Sequence, residues 1–279
     1  MEIPFIKMNG AGNDFVIFDA RKHPVSLSGD QVRSLASRTN KTTEGCDQVI
    51  VIEPSQASDV FMRIYNADGG EVDACGNATR CVGWLVGEES GKDTIYVTTK
   101  ADALECGIDT HDRTLAWANM GKPRLGWKDI PLASDTDTLH LDITEGPLAD
   151  AVGVSMGNPH AVFFVENADK VELTSIGPKL EHHALFPERA NISVAEVQGK
   201  MPDGRDMIRL RVWERGTGET PSCGTGACAA LVAANRRGLT GRDAMILANG
   251  GLLRVIWRED GDVTLSGPVQ KQFQAMITL

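Results

Sequence analysis

The sequence predicts an α/β (α+β) fold of two pseudo-symmetric domains, each a strand-rich layer wrapped around one central helix. One block occurs twice, because residues 63–77 align without a gap with residues 211–225, at an offset of 148 residues between Cys75 and Cys223. Each copy runs from a β-branched and aromatic strand end, through a glycine-containing loop, to a Cys-Gly pair that opens a small-residue helix. A length of 279 residues allows each half to bury its own core.

Apolar and alternating runs predict strands in both halves of the chain. They lie at residues 14–18, 48–53, 59–65 and 94–99 in the first half and at 151–156, 161–165, 192–197 and 207–213 in the second. Ser28 and Gln31 predict a capping box for a helix that ends near Ser37. The segments after Cys75 and Cys223 are apolar nearly all round, which is typical of a helix buried inside a domain. A glycine- and proline-containing stretch at residues 119–150 predicts the crossing between the halves.

Composition narrows the class of protein. A formal net charge of −10 argues against binding to nucleic acid or to an anionic membrane surface, for which a basic stripe would be expected. The amino terminus has no basic segment followed by an apolar one, and no stretch approaches about 18 apolar residues. Six cysteines are too sparse for a disulfide scaffold. We expect a cytoplasmic protein in a reducing compartment, with no membrane or nucleic-acid partner.

The cysteine spacings do not favour a metal site. Cys75 and Cys81 are spaced C-x5-C, and Cys223 and Cys228 are spaced C-x4-C, whereas zinc knuckles use C-x2-C. On a helix, both spacings turn the second sulfur away from the face of the first. We expect no metal and interpret the other four cysteines as small apolar residues, on buried helices for Cys81 and Cys228 and on or near strands for Cys46 and Cys106.

A cysteine at a helix start has a chemical use. The first backbone N–H groups of a helix lack internal partners, and the helix dipole places partial positive charge there, so both favour thiolate over thiol. The same N–H groups, exposed by Gly76 and Gly224, can hold a carboxylate. Two such helices facing one another would flank the α-carbon of an amino acid with Cys75 and Cys223. This pattern predicts a cofactor-independent racemase or epimerase.

Longer motifs then carry a resemblance to a known family. They are K-M-N-G-A-G-N-D-F (7–15), G-C-D-Q (45–48), N-A-D-G-G-E-V-D-A-C-G-N-A-T-R-C (66–81), M-G-N-P-H (156–160) and R-V-W-E-R-G-T-G-E-T-P-S-C-G-T-G-A-C (211–228). These blocks resemble the signatures of the diaminopimelate epimerases. The resemblance implies an isomerase that interconverts LL- and meso-diaminopimelate in lysine and peptidoglycan biosynthesis, without pyridoxal phosphate or metal.

The resemblance also implies an architecture. Such enzymes are homodimers whose two domains enclose the active site in the cleft between them. Their C-terminal segment returns to the first domain. We therefore expect an N-terminal half of residues 1–120 plus 270–279, carrying Cys75, and a C-terminal half of residues 121–269, carrying Cys223.

Residue roles follow from the same resemblance. It implies Cys75 and Cys223 as the acid–base pair, with His160 and Glu214 beside the reacting centre. It implies substrate contacts from the side chains of Asn13, Gln48, Asn66, Asn158, Asn191 and Arg215, and from backbone donors at Gly76, Asn77, Gly224 and Thr225. A substrate with two carboxylates and two ammonium groups suits amides, which donate and accept, and one fork-shaped cation. We expect Arg215 to bind the carboxylate remote from the reacting carbon.

The chain departs from the family pattern at four places. Asn9 replaces a frequent His, Cys46 a frequent Phe, Ala78-Thr79 a frequent Gly-Ala, and Trp213 a frequent Tyr. Ala78 lies nearest the chemistry, and we expect its methyl group to narrow the carboxylate cradle. None of the four departures removes a functional group that two-cysteine chemistry requires.

Other interpretations remain open at this point. A proline or hydroxyproline racemase shares the two-cysteine plan, although its substrate would leave Arg215 without a distal carboxylate. A thiol redox enzyme would use a C-x-x-C pair or a resolving cysteine, and a non-catalytic binding protein would not need the second thiol. Asn13 and Asn158 follow glycines and also fit plain turn residues. Gly10-x-Gly12 and similar pairs complete no phosphate-binding motif.

Overall fold

We describe a computed structural model of the chain, which covers residues 2–73 and 75–279. The helices are α1 (Gly29–Ala36), α2 (Gly76–Ser90), α3 (Leu173–Glu181) and α4 (Gly224–Arg236), with a 3-10 turn at Ala168–Lys170. The strands are β1 (Glu2–Gly10), β2 (Asn13–Asp19), β3 (Gln48–Glu53), β4 (Val60–Asn66), β5 (Glu71–Val72), β6 (Thr94–Thr98), β7 (Ala103–Ile108), β8 (Leu115–Asn119), β9 (Leu141–Glu145), β10 (Leu148–Ser155), β11 (Pro159–Phe164), β12 (Asn191–Lys200), β13 (Asp206–Glu214), β14 (Gly218–Thr220), β15 (Asp243–Ala248), β16 (Gly251–Trp257) and β17 (Val263–Thr278).

The chain divides into two compact units. The first unit is Met1–Asn119 with Ser266–Leu279, and the second unit is Met120–Leu265. None of the described helices is both long enough and apolar enough to span a bilayer.

The first unit is a closed ring of strands around α2. Strand β17 pairs antiparallel with β1, and the ring continues through β2, β3, β4, β6, β7 and β8. It closes because β8 also pairs with β17, with the N–H of Val269 donating to the carbonyl of Thr114 at 3.0 Å. Helix α2 packs against β1, β6, β7 and β8. Its residues Ala78, Cys81 and Val82 are fully buried, as the apolar pattern after Cys75 predicts.

The second unit repeats this order. Strands β10 and β11 are antiparallel, β11 and β12 parallel, β12 and β13 antiparallel, β13 and β15 parallel, and β15 and β16 antiparallel. Helix α4 packs against β10, β11, β12, β13, β15 and β16, and its residues from Ala227 to Ala234 are fully buried. An additional strand, β9, pairs with β10, and α3 packs on β9, β12 and β13. The prediction of two similar halves with buried central helices is confirmed.

Most local predictions hold within one or two residues. All eight predicted strands are present, and α1 has the capping box of Ser28 and Gln31. Periodicity did not indicate β1, β5, β7 to β9, β14 to β17 or α3. Cys81 and Cys228 are fully buried on their helices, Cys106 is fully buried on β7, and Cys46 is buried two residues before β3.

The repeated Arg and Glu of the sequence form an ion pair in each unit. In the first unit, Arg63 donates to Glu71 at 2.7 Å and also to Glu53. In the second, Arg211 donates to both carboxylate oxygens of Glu219 at 2.8 and 2.9 Å, and to the carbonyls of Ala168 and Val171. Each pair joins the two strands of the hairpin that precedes the cysteine helix, so it fixes where that helix begins.

We expect Arg211→Met to destabilise the protein more than Arg63→Met. Removing Arg211 leaves Glu219, whose side chain is 17% exposed, without its cation. Glu71 keeps an ion pair with Lys100 at 2.8 Å when Arg63 is removed. Urea denaturation should show losses of about 3–5 kcal/mol for Arg211→Met and about 1–2 kcal/mol for Arg63→Met. Arg113→Met, at an exposed pair with Glu88, is the control and should cost below about 1 kcal/mol. Equal losses for Arg63 and Arg211 would contradict this interpretation.

Candidate active site

Both repeated cysteines are the residues that immediately precede a buried helix. Cys75 caps α2 and Cys223 caps α4, each with an extended backbone. The carbonyl of Cys75 accepts from the N–H of Thr79, and that of Cys223 accepts from the N–H of Ala227, both at 2.9 Å. Neither helix has an acidic residue in its first turn. The positive end of each dipole therefore faces no carboxylate of its own helix, which suits it to a bound anion.

Cys223 is held as a protonated thiol. Burial raises its pKa well above the ordinary value, and the nearby carboxylate of Glu214, which accepts a hydrogen bond from the thiol, raises it further. The hydroxyl of Thr225, 3.6 Å from the sulfur, and the N–H of Gly226 act in the opposite direction. Thr220 donates to the carboxylate of Glu214 and so orients it. Sequence reasoning missed Thr220, which lies in the same repeated block.

In both units, the residue two positions after the cysteine is hydrogen-bonded to an asparagine that follows a glycine. In the first unit, the amide of Asn77 donates to Asn13. In the second unit, the amide of Asn158 donates to Thr225, with 3.3 Å between Nδ2 and Oγ1. Asn13 begins β2, Asn158 immediately precedes the equivalent strand β11, and Asn77 and Thr225 are each two residues after the cysteine. The predicted Gly-Asn echo is therefore a repeated link between a strand end and the first turn of the central helix.

A network of charged side chains, of which Lys7 is buried and Arg38 exposed, supports Asn13. Asp47 accepts from the Asn13 amide at 3.3 Å and from Arg38 at 2.6 Å. Asp14 accepts from Arg38 and from Lys7, whose ammonium group is buried and also bonds a backbone carbonyl. Burial would raise the pKa of Asp14, but the hydrogen bonds from Arg38 and Lys7 outweigh it and lower that pKa to about 2. Asn13 is thus held by charged partners as well as by its turn.

The residues at the start of β3 and at the end of β4 differ from their counterparts in β12 and β13. In the first unit, Gln48 donates to Asn66 at 2.9 Å, and both side chains are half-buried. In the second unit, Asn191 occupies the position of Gln48 at the start of β12. Asn191 is buried, accepts from the N–H of Arg215 at 2.9 Å and donates to the carbonyl of Pro159 at 2.9 Å. Its observed contacts are with backbone groups, so it shapes the loop that carries Arg215.

His160 is fully buried beside the start of α4. Its Nε2 lies 3.1 Å from both Asn158 Oδ1 and Thr225 Oγ1. Because the Asn158 oxygen can only accept, we assign the proton to Nε2. The other ring nitrogen, Nδ1, is buried and has no hydrogen-bond partner among residues 2–73 and 75–279. Burial lowers the pKa of His160 to about 3, and the positive charge of Arg215 contributes. The imidazole is therefore neutral and resists protonation, and its Nδ1 remains a hydrogen-bond acceptor.

Arg215 lies exposed at the tip of the hairpin between β13 and β14. Its guanidinium donates to the carbonyl of Glu188 at 3.0 Å. It lines a polar pocket of about 330 Å³ within the second unit, with Arg124, Lys128, Asp129, Pro131, Ser155, Gly157, Pro159 and Glu188. The pocket adjoins Asn158, the next residue after Gly157. Glu214 and Arg215 do not pair with each other among the observed ion pairs, since Glu214 bonds Thr220 instead.

Three of the four family departures, at Ala78, Asn9 and Trp213, have a defined place in the observed packing. Ala78 is fully buried, and its counterpart in the second unit is Gly226. A methyl group at Gly226 would lie 3.3 Å from the Cys223 sulfur and 3.0 Å from Val212, so the second unit requires glycine there. Asn9 accepts from the N–H of Gly12, which has a positive φ of 91°. The indole N–H of Trp213 donates to the buried carboxylate of Glu181 at 2.7 Å.

The structure gathers the predicted residues into two groups, one in each unit. The first group consists of Asn13, Gln48, Asn66, Cys75, Gly76 and Asn77, and the second of Asn158, His160, Asn191, Glu214, Arg215, Cys223, Gly224 and Thr225. Within the part of the chain that the structure describes, no cluster of three or more His, Cys, Asp or Glu is arranged to hold a metal ion.

Solved structures share this architecture. A phenazine biosynthesis protein of the PhzF family from Bacillus anthracis matches with a TM-score of 0.66 at 16% identity, over 100% of both chains. A hydroxyproline epimerase from Agrobacterium vitis, with bound trans-4-hydroxy-L-proline, matches with a TM-score of 0.64 at 14% identity, over 100% of this chain and 93% of that one. At such low identity these structural matches show the fold alone, a two-domain, strand-rich α/β architecture.

Sequence comparison identifies the family. The diaminopimelate epimerase family model matches residues 5–126 and 152–272. The diaminopimelate epimerase of Acidiphilium cryptum is 51% identical over 97% of this chain and 95% of its own length. That of Phenylobacterium zucineum is 50% identical over 97% of this chain and 96% of its own length. The chain belongs to the diaminopimelate epimerase family, as its motifs predicted, and is thus a member of a family of isomerases.

The buried, neutral His160 should make stability depend on pH. Its folded pKa of about 3 lies below the ordinary value of 6.5, so the unfolded chain binds the proton more readily. Its contribution is fully present above about pH 6.5 and is lost as the pH falls toward 3. Between pH 7.5 and pH 5, His160→Gln should lose about 2 kcal/mol less unfolding free energy than the wild type.

Urea denaturation at the two pH values measures this difference. His111→Gln, at an exposed histidine, is the matched control and should keep the wild-type pH dependence. If His160→Gln and the wild type lose the same free energy between these pH values, His160 is not the buried neutral imidazole described.

Proposed function

We propose that this chain interconverts LL- and meso-diaminopimelate by moving one proton at an α-carbon between Cys75 and Cys223. The observation that carries the proposal is the duplicated cysteine, which precedes the central helix of each unit. One thiol would suffice for a binding protein, whereas inversion needs one group to remove a proton and another to return one to the opposite face. Family membership supports diaminopimelate as the substrate.

The two cysteines start in different protonation states in this mechanism. Cys223, buried beside Glu214, begins as the thiol and donates its proton. Cys75 is half-buried, and its counterpart of Glu214 is the neutral amide of Asn66, so no carboxylate occupies that repeat position. Cys75 then begins as the thiolate base, favoured by the N-terminal end of α2. After one turnover Cys75 is the thiol and Cys223 is the thiolate. In this state the enzyme acts on the opposite epimer.

Backbone groups supply the stabilisation that a cofactor provides elsewhere. Removing the α-proton pushes negative charge onto the adjacent carboxylate. The first-turn N–H groups of α2 and α4, at Gly76, Asn77, Gly224 and Thr225, are the donors we assign to that carboxylate. Preorganised donors aimed at developing charge are worth roughly 3–4 kcal/mol each in comparable sites. No metal or pyridoxal phosphate is part of this proposal.

The neutral His160 and the carboxylate of Glu214 assist the proton transfers. His160 offers Nδ1 as a hydrogen-bond acceptor while its Nε2 contacts Asn158 and Thr225, and Glu214 accepts from the Cys223 thiol. We assign Asn13, Gln48, Asn66 and Asn158 to the polar groups of the substrate. We assign Asn191 to the substrate as well, and it also holds the loop that carries Arg215.

Arg215 gives the site its specificity in this proposal. Its guanidinium lies in a polar pocket with Arg124 and Lys128, which suits a second carboxylate. Proline and hydroxyproline have no second carboxylate, so a proline or hydroxyproline racemase would have no use for this pocket. We further propose a cytoplasmic homodimer that binds neither nucleic acid nor membrane, in keeping with the net charge of −10.

The direct test is turnover of LL-diaminopimelate by the purified protein, with reductant and a chelator and without pyridoxal phosphate. We expect meso-diaminopimelate to accumulate to equilibrium, while trans-4-hydroxy-L-proline in a parallel reaction stays unchanged. Absence of meso product from a folded, reduced sample would refute the proposed substrate.

Replacing either catalytic cysteine should stop epimerisation. A serine hydroxyl is too weakly acidic to act as the base, so Cys75→Ser and Cys223→Ser should each reduce turnover far below a tenth of wild type. A tenth corresponds to about 1.4 kcal/mol of transition-state stabilisation. Cys106→Ala, at a buried cysteine of β7 outside the site, is the control and should stay near wild type. Retention of more than a tenth by either serine variant would exclude the two-cysteine mechanism.

Arg215→Met should separate substrate recognition from folding. Losing a bidentate, charge-assisted contact costs about 2–5 kcal/mol, so LL-diaminopimelate turnover should fall by roughly thirty-fold to several thousand-fold. The exposed side chain contributes little to stability, and thermal unfolding should stay close to wild type. Lysine, which lacks the second carboxylate, should be a very poor substrate for the wild type. Comparable turnover of lysine and diaminopimelate would show that the distal carboxylate is not recognised.

A further inference from the structure

The hairpin loop after β13 carries two site residues, Glu214 and Arg215, and its backbone is held by buried side chains. The N–H of Arg215 donates to Asn191 at 2.9 Å, and the N–H of Gly216 donates to Glu181 at 2.9 Å. The next N–H, from Thr217, closes a turn onto the carbonyl of Glu214 at 3.0 Å. Gly216 has a φ of 74°, a conformation in which glycine is favoured. Three successive N–H groups thus have defined partners, two of them side chains.

Glu181 holds this loop on both sides. It is the last residue of α3 and is only 3% exposed. One carboxylate oxygen accepts from the indole N–H of Trp213 at 2.7 Å, and the other accepts from the N–H of Gly216. Among the residues that the structure describes, its one ion pair is with Arg189, a half-exposed residue whose guanidinium lies 3.7 Å from the carboxylate. Glu214 and Arg215 are the two residues between these anchor points.

Steric contact fixes the same indole against α3. A side chain at Gly177, one turn before Glu181, would place its Cβ 2.6 Å from the Trp213 ring. The bare backbone at Gly177 therefore lets the indole lie directly on the helix. Trp213 replaces the tyrosine frequent in the family. Its indole fits against α3 because Gly177 has no side chain and because Glu181 accepts the indole N–H. The indole cannot move away from α3 without losing both contacts.

We infer that Glu181 is a positioning residue, which sets the orientation of Glu214 and Arg215 without touching the substrate. This inference rests on the proposed function, because it assigns Glu214 to proton transfer and Arg215 to the distal carboxylate. A buried carboxylate suits the task, since two N–H donors on either side of the loop each require an acceptor oxygen. A shift of about 1 Å in such a group can reduce rates about a hundredfold.

Glu181→Gln is the sharpest variant. Glutamine has the same shape but only one acceptor oxygen, so its NH2 group must face either the indole N–H or the Gly216 N–H. We expect kcat/KM for LL-diaminopimelate to fall about ten- to a hundredfold, with a rise in KM from the displaced Arg215. Glu145→Gln removes an exposed carboxylate that pairs with Lys179 of the same helix, and it is the matched control that should leave both constants unchanged.

A double-mutant cycle distinguishes positioning from general destabilisation. If Glu181 acts through the loop, Glu181→Gln should reduce kcat/KM much less in an Arg215→Met background than in the wild type. Equal fold-losses in both backgrounds, or no loss in the wild-type background, would overturn the inference. Trp213→Phe removes a single anchor and provides the same cycle if Glu181→Gln does not fold.

Hydrogen exchange keeps the inference separate from the proposed function. In Glu181→Gln, amides of the 213–218 segment should exchange at least several-fold faster than in the wild type, while segments of the first unit stay unchanged. If the wild type does not turn over diaminopimelate, the proposed function fails, and faster exchange confined to this loop still supports its anchoring by Glu181. Unchanged exchange at this loop would overturn the anchoring whatever the activity.

Discussion

Each half of this protein depends on one largely buried helix that begins immediately after a cysteine. The helix fills the space enclosed by its strands, so its first turn cannot move without disturbing the core. The N–H groups of that turn are the only ones of the helix without internal partners, and the cysteine stands beside them. The fold thereby places a thiol and an anion-binding group at one fixed position, and it does so twice.

Duplication explains why the residue groups of the two units resemble each other, and divergence explains how their chemistry differs. The link between strand start and helix start is the pair Asn13–Asn77 in one unit and Asn158–Thr225 in the other. At the end of the fourth strand of the repeat, the first unit has the amide of Asn66 where the second has a carboxylate. In the second unit this carboxylate, that of Glu214, accepts a hydrogen bond from the Cys223 thiol and raises its pKa.

Sequence reasoning reached the repeat, the central helices and the cysteine positions because those features are local. Apolar periodicity and helix-start motifs are each contained within about fifteen consecutive residues. Apolar and alternating runs of this kind predicted eight strands. The roles of Glu181 and Asn191 were beyond its reach, since both depend on partners brought together by tertiary packing. The hydrogen bonds of Asn191 with the N–H of Arg215 and the carbonyl of Pro159 likewise depend on its buried position in β12. Short strands such as β5 and β14 lack enough residues to show a period.

The isotopic content of the products tests the two-cysteine account most directly. With LL-diaminopimelate in deuterium oxide and conversion kept below about a tenth, one thiol removes the substrate proton and the other delivers a solvent-derived deuteron. The account predicts meso product that carries deuterium at the inverted carbon, while recovered substrate keeps protium there. Deuterium entering recovered substrate as fast as product, or product that retains the original protium, would mean that a single group serves both faces and would contradict the account.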